Sequence, residues 1–136
     1  MATKLSRTAC PIEATLSLIS DKWKILILRD LLTGTKRFGE LKKSIGSISQ
    51  KVLTSNLRAM EDDGLVVRQV YAEVPPRVEY TLTERGESLR PVIDAMRIWG
   101  EEHQAELVAE EEAAKSQDSQ TNTARTEAKS KRPAPY

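Results

Sequence analysis

Lys36, Arg37, Lys42, Lys43, Lys51 and Arg58 fall within a stretch that holds one acid, Glu40. The whole chain of 136 residues carries a formal charge of only +1. Positive charge is therefore concentrated in this stretch, and the chemistry it fits is the binding of a polyanion. Ser49, Gln50, Thr54 and Ser55 lie among these cations and both donate and accept hydrogen bonds, which is what reading base edges requires. The chain also has one thiol, Cys10, and one histidine, His103.

The elements that must position these side chains are legible from apolar spacing. Phe38, Leu41 and Ile45 recur at helical intervals and predict a helix over 38–44. Gly46 stands where a helix end often needs a left-handed residue. Ile48 reads as an apolar plug in the turn, and Ser49 as the N-cap of the next helix. That helix carries Leu53, Leu57 and Met60 on one face. Gln50, Lys51, Thr54, Ser55 and Arg58 occupy the other. A short turn between two helices, the second polar and basic, is how a helix-turn-helix presents a recognition helix to the major groove of DNA. Charge alone also allows an ordinary helical hairpin with a solvated basic face.

The flanking chain favours the first reading. Pro11 fits a first helical position, so Cys10 is the expected N-cap of a helix within 10–20, with Ile12, Leu16 and Ile19 as its stripe. A second helix over 22–32 is apolar around most of its circumference and belongs near the middle of the core. Gly64 stops the recognition helix. The period then changes, and β-branched and aromatic residues predict strands over 65–71 and 78–82, with Pro75-Pro76 between them. A hairpin directly after a recognition helix is a wing. Arg77 at its tip, with Arg68 on its first strand, suits a contact with the DNA backbone or minor groove.

Thr83 is a natural N-cap for a long helix over 84–103, in which Pro91 predicts a kink or local break. Leu89, Ile93, Met96 and Gly100 form its stripe, with Val92 and Trp99 beside it. This is more apolar surface than one small domain needs, so a dimer interface is the economical use of it; the alternative is a Trp99 that folds back on its own subunit. The expected architecture is α+β but mainly α: a winged helix-turn-helix with a two-stranded β-wing. Residues 1–9 read as a flexible arm and 10–103 as the domain. Residues 104–136 are polar and read as a disordered tail, with room for a helical extension to about residue 114. The cluster Lys129, Lys131 and Arg132 in that tail reads as solvated.

Several function classes are excluded. There is no metal-ligand spacing, no phosphate-binding glycine loop and no nucleophile motif, so the sequence does not read as an enzyme and implies no metal or cofactor. No apolar run reaches membrane-span length and no signal peptide is evident. One cysteine without an export signal fits the cytoplasm.

The ordered set of motifs resembles the HxlR family of bacterial and archaeal winged-helix transcriptional regulators, which is related to the MarR group. The matching pieces begin with Cys10-Pro11, Asp21-Lys22-Trp23 and Ile27-Leu28-Arg29-Asp30-Leu31. They continue with Arg37-Phe38-Gly39-Glu40-Leu41, Ile48-Ser49, Leu53 to Leu57 and Asp63-Gly64-Leu65. The most specific is Pro75-Pro76-Arg77-Val78-Glu79-Tyr80, followed by Thr83, Gly86, Leu89 and Trp99-Gly100. Ser20-Asp21 departs from the pattern, since many members have glycines there; this affects a helix junction and not the DNA face. The resemblance implies a homodimer joined through the N- and C-terminal helices, with Ile12, Leu16, Met96 and Trp99 as interface candidates. It implies two recognition helices on a pseudo-palindrome in double-stranded DNA, most often for repression. Base reading would fall to Ser49, Gln50, Lys51, Thr54, Ser55 and Arg58. Phosphate or wing contacts would fall to Lys36, Arg37, Lys42, Lys43 and Arg77.

In several members of this family a cysteine at the Cys10 position senses oxidants or electrophiles. A helix N-terminus favours the reactive thiolate, so the placement is chemically apt. The alternative is a small apolar residue at a subunit interface. Two further readings stay open: a non-covalent ligand at the dimer interface in place of thiol chemistry, and a winged helix used only for protein contacts.

Overall fold

Cys10 caps the first helix, α1 (Pro11–Ile19), as its placement before Pro11 predicts: its Sγ accepts the Glu13 N–H at 3.3 Å. Asp21 does the same for α2 (Lys22–Leu31), accepting the Trp23 N–H at 2.8 Å. The computed structural model describes residues 7–8 and 10–130, with side chains as far as residue 120. Apart from Arg7 and Thr8, the predicted N-terminal arm lies outside the described residues, as do Lys131 and Arg132. The chain divides into two units, one ending at Asp94 and the other beginning at Ala95.

In the first unit α2 is the hub. Ile27 and Leu28 are completely buried, and α3 (Phe38–Ile45) and α4 (Gln50–Asp62) both pack on α2. Leu41 from α3 and Leu53, Leu57 and Met60 from α4 complete the centre, and Ile48 fills the turn between those helices. Each Leu-sized side chain so buried contributes about 1.5–3 kcal/mol of transfer free energy. One layer of helices thus closes over a small antiparallel sheet.

That sheet has three strands. The hairpin β2 (Val66–Tyr71) and β3 (Arg77–Leu82) is the predicted two-stranded wing. The sequence reading misses β1 (Lys36–Arg37), which pairs with β3 to give the order β1-β3-β2. Two residues carry no period of their own; β1 is a strand only because Tyr80 and Glu79 lie opposite it. The Thr35 and Thr81 hydroxyls, 2.8 Å apart, support that edge.

The root of the wing is locked. The Thr83 hydroxyl donates to the Gly64 carbonyl and accepts the Gly86 N–H at 3.1 Å. Arg85 donates to the Asp63 carbonyl at 2.9 Å. A Cβ at Gly86 would collide with the Leu65 carbonyl oxygen, so only glycine permits α5 (Glu84–Glu87) to lie this close to the start of β2. The helix predicted over 84–103 is interrupted close to Pro91, where a kink or local break is expected, and forms two helices. The chain breaks at Ser88–Leu89, just before Pro91, and resumes as α6 (Arg90–Ser130). Pro91 takes the first turn of α6, where its missing N–H leaves no ladder bond unmade.

In the second unit the helix does not yield to a disordered tail after residue 103 but continues to Ser130. Residues 101–130 contain neither Gly nor Pro and are rich in Ala and Glu. Extending an existing helix avoids the cost of nucleation, which is why a polar sequence without a core remains helical here. The Glu111–Lys115 pair at 2.8 Å adds i,i+4 support.

Candidate nucleic-acid interface

The interface is built on the α3–turn–α4 unit. Glu40 reaches back from the first turn of α3 to accept the Arg37 N–H at 3.0 Å, half of a capping box. Gly46 ends α3 with φ +79°, a conformation that L side chains rarely adopt, and this lets the chain turn within the four residues that separate α3 from α4. Ser49 then opens α4: its Oγ accepts the Val52 N–H at 3.2 Å. The turn and both helix ends are thus specified by local hydrogen bonds, and the buried Ile48 ties them to the core.

With Leu53, Leu57 and Met60 inward, the remaining face of α4 is fixed by the helical period. Gln50, Lys51, Ser55 and Arg58 are exposed on it, and Thr54 is half-buried. Thr54 donates its hydroxyl to the Gln50 carbonyl at 2.8 Å, which holds its side chain against the helix. Buried Asn56 is satisfied by the Val52 carbonyl at 2.9 Å and takes no part in the exposed face. Electrostatically the helix is graded along its length. The first turn carries Lys51 and the positive end of the helix dipole, Arg58 lies in the third turn, and Glu61, Asp62 and Asp63 stand at the C-terminal end. A polyanion is attracted to the first three turns and repelled from the last. Asp63 is already paired with Arg7, at 3.0 Å.

Of the cations expected to touch phosphate, Arg37 and Lys43 are exposed, and Lys36 and Lys42 are half-buried. Lys42 and Lys43 lie in the last turn of α3, where they also complement the helix dipole. Arg77 is placed differently from the expectation. It is the first residue of β3, opposite Tyr71, and not the tip of the loop. Its guanidinium lies over the Tyr71 ring at 4.0 Å and pairs with Glu73 at 3.4 Å and Glu79 at 3.6 Å. Arg68, noted in the sequence only as a second wing arginine, joins Gln50, Thr54, Arg58 and Glu61 in lining a groove of about 360 Å³ between α4 and the hairpin. Residues 66–71 show no apolar alternation that marks this in the sequence; the pairing of Arg68 with Tyr80 places it there.

Cys10 is exposed, and its Sγ caps α1. On the same helix Ile12 is 74% exposed and Leu16 is also exposed. In the second unit Met96, Ile98, Leu107 and Val108 are exposed, and Trp99 is 56% exposed. The Trp99 indole stacks on His103, with centroids 4.1 Å apart, and does not leave its own helix. Among the described residues no group of three or more His, Cys, Asp or Glu is arranged to hold a metal, and no helix is long and apolar enough to cross a membrane.

Comparison with known proteins agrees with this geometry. The model of the HxlR-like helix-turn-helix family matches residues 18–107. The helix-turn-helix-type transcriptional regulator YdeP of Bacillus subtilis (strain 168) is 47% identical over 109 residues, 80% of this chain and 85% of YdeP. Among solved structures, the redox regulator HypR in its reduced form is similar with a TM-score of 0.69 and 44% identity, over 74% of this chain and 99% of that one. The reduced form of the B. subtilis transcriptional regulator YodB is similar with a TM-score of 0.60 and 41% identity, over 68% and 92% of the two chains. A built recognition helix, its wing and a family match across most of the chain lead to one conclusion: this protein belongs to the HxlR-like helix-turn-helix family of DNA-binding transcriptional regulators, a class without enzymatic activity.

Proposed function

We propose that the protein is a sequence-specific repressor that binds a pseudo-palindromic operator as a homodimer and is switched through Cys10. The observation that carries the DNA reading is the division of α4, with Leu53, Leu57 and Met60 buried and Gln50, Lys51, Ser55 and Arg58 exposed. Those side chains, with Ser49 and Thr54, read bases in the major groove. Lys36, Arg37, Lys42 and Lys43 bind phosphates, and the wing adds a further cation. Two copies join through the exposed apolar residues Ile12 and Leu16 of α1 and Met96 and Trp99 of α6.

The switch rests on an exposed thiol at a helix N-cap and on similarity to HypR and YodB, the first named a redox regulator and the second solved also after diamide treatment. Among the described residues Cys10 is the one thiol, so oxidation yields a sulfenic acid, an adduct or a disulfide between subunits, and no bridge within one.

The test is an anisotropy titration on a duplex selected by the wild-type protein, and on a random duplex, before and after diamide and then reductant. Binding is expected to be tight and salt-sensitive, lost on oxidation and restored on reduction, with Cys10→Ser unresponsive. Lys51→Ala and Arg58→Ala should cost about 1–3 kcal/mol of discrimination on the selected duplex and far less on the random one. A diamide response that persists in Cys10→Ser removes the thiol from the mechanism. Wild-type binding indifferent to diamide assigns control to a non-covalent effector.

A further inference from the structure

We propose that Arg68, and not Arg77, is the wing's contact with the DNA backbone. In this reading it binds the phosphates that lie between the hairpin and α4, while Arg58 on the facing wall of the groove reads bases. The inference rests on the DNA-binding reading above and assigns a residue within it.

Strand parity carries the argument. In an antiparallel pair, residues directly opposite share a face, and successive residues alternate. Val66 pairs with Leu82, Arg68 with Tyr80 and Val70 with Val78. Val66, Tyr80 and Leu82 are buried, so this is the face turned toward the core and α4. The hairpin extends past the core, and there the same face forms a wall of the groove that Arg58 lines from α4. Tyr71 pairs with Arg77, which puts Arg77 on the opposite face. The two wing arginines thus point to different sides of the hairpin, and only Arg68 shares a surface with the recognition helix.

Their engagements differ in the same sense. Arg77 is held by Glu73, Glu79 and the Tyr71 ring, and its side chain is 28% exposed. Its charge is offset by two carboxylates, and moving it to a phosphate means giving up both. Arg68 is exposed, and among the described residues nothing pairs with its guanidinium. Lys36 lies opposite Tyr80 on its other side, so the row Lys36, Tyr80, Arg68 crosses all three strands with a cation at each end. Glu61 is the one acid lining the groove, at the end of α4 away from Gln50. Among the described residues, Arg68 is thus the wing arginine left to meet a phosphate. Arg77 instead braces the hairpin.

The experiment measures binding of the full chain to the selected and random duplexes over a range of salt. Arg68→Ala should weaken both about fivefold near ~0.15 M salt and lower the slope of log K against log salt by about 0.9, one phosphate contact. Arg68→Lys should retain the slope, and Arg77→Ala should leave it unchanged. Circular-dichroism melts establish that each variant is folded, with Arg68→Gln in reserve. A folded Arg68→Ala with an unaltered slope overturns the proposal. So does a fall of the slope in Arg77→Ala, alone or equal to that in Arg68→Ala. Weakening confined to the selected duplex makes Arg68 a base reader and overturns the phosphate assignment. A wild type that binds neither duplex overturns the DNA reading itself, and this inference with it.

Discussion

Helix α4 and the part of α6 beyond Asp94 both carry apolar residues at helical spacing, yet they end in opposite states. In α4 the stripe Leu53, Leu57, Met60 is at most 1% exposed, and what remains outside is polar and basic. In α6 Met96, Ile98, Trp99, Leu107 and Val108 are all exposed. One helix has completed its packing within a single chain, so its free face is suited to a charged partner. The other has not, so its free face is suited to an apolar one. The difference follows from neighbours. Helix α4 packs on α2 and β2, whereas the second unit consists of one helix. A periodic stripe therefore reports that a helix has a side to bury, and only the surrounding elements decide whether that side is buried in the monomer.

The comparison is broken most forcefully at Leu57. Leu57→Ala should destabilise the fold by about 2–5 kcal/mol in a denaturant melt, through lost burial and the cavity left behind. A cost well under that range would mean α4 is not tied into the core as described. Trp99→Ala tests the other helix. It should leave the monomer's fold intact but weaken self-association by about 2 kcal/mol or more, as for a central interface aromatic. Sedimentation velocity over a concentration series reads this directly, and an unchanged association constant would place the interface elsewhere. The smallest effect is local to α4. Ser49→Ala removes the N-cap and should lower stability by about 1 kcal/mol, with a matching fall in DNA affinity as the first turn frays. Full retention of both would show that the turn does not depend on its cap.

Much of the fold is legible because its signals are short-range. Cys10 before Pro11, Ser49 and Thr83 are caps, and each accepts the backbone N–H that its position predicts. Gly46 and Gly64 take positive φ at helix ends. The exposed face of α4 follows from the period once Leu53, Leu57 and Met60 are taken as core. The extent of the helix beyond residue 103 is not legible for an equally physical reason: lack of a core argues for disorder, but it does not weigh the ease of lengthening a helix that already exists.

The sequence by itself determined the helix-turn-helix, the hairpin and the residues available to meet DNA, because caps, turns and apolar periods act within a few residues of one another. The tertiary structure alone decided three other things. Lys36-Arg37 became a strand because Glu79 and Tyr80, far along the chain, offer it partners. Helix α5 lies close against the start of β2 because Gly86 has no Cβ to meet the Leu65 carbonyl. Arg68 and Arg77 were sent to opposite faces of the wing because register is set by pairing across the hairpin and by which face meets the core. Each depends on atoms brought together from distant positions, and no local pattern encodes such a meeting.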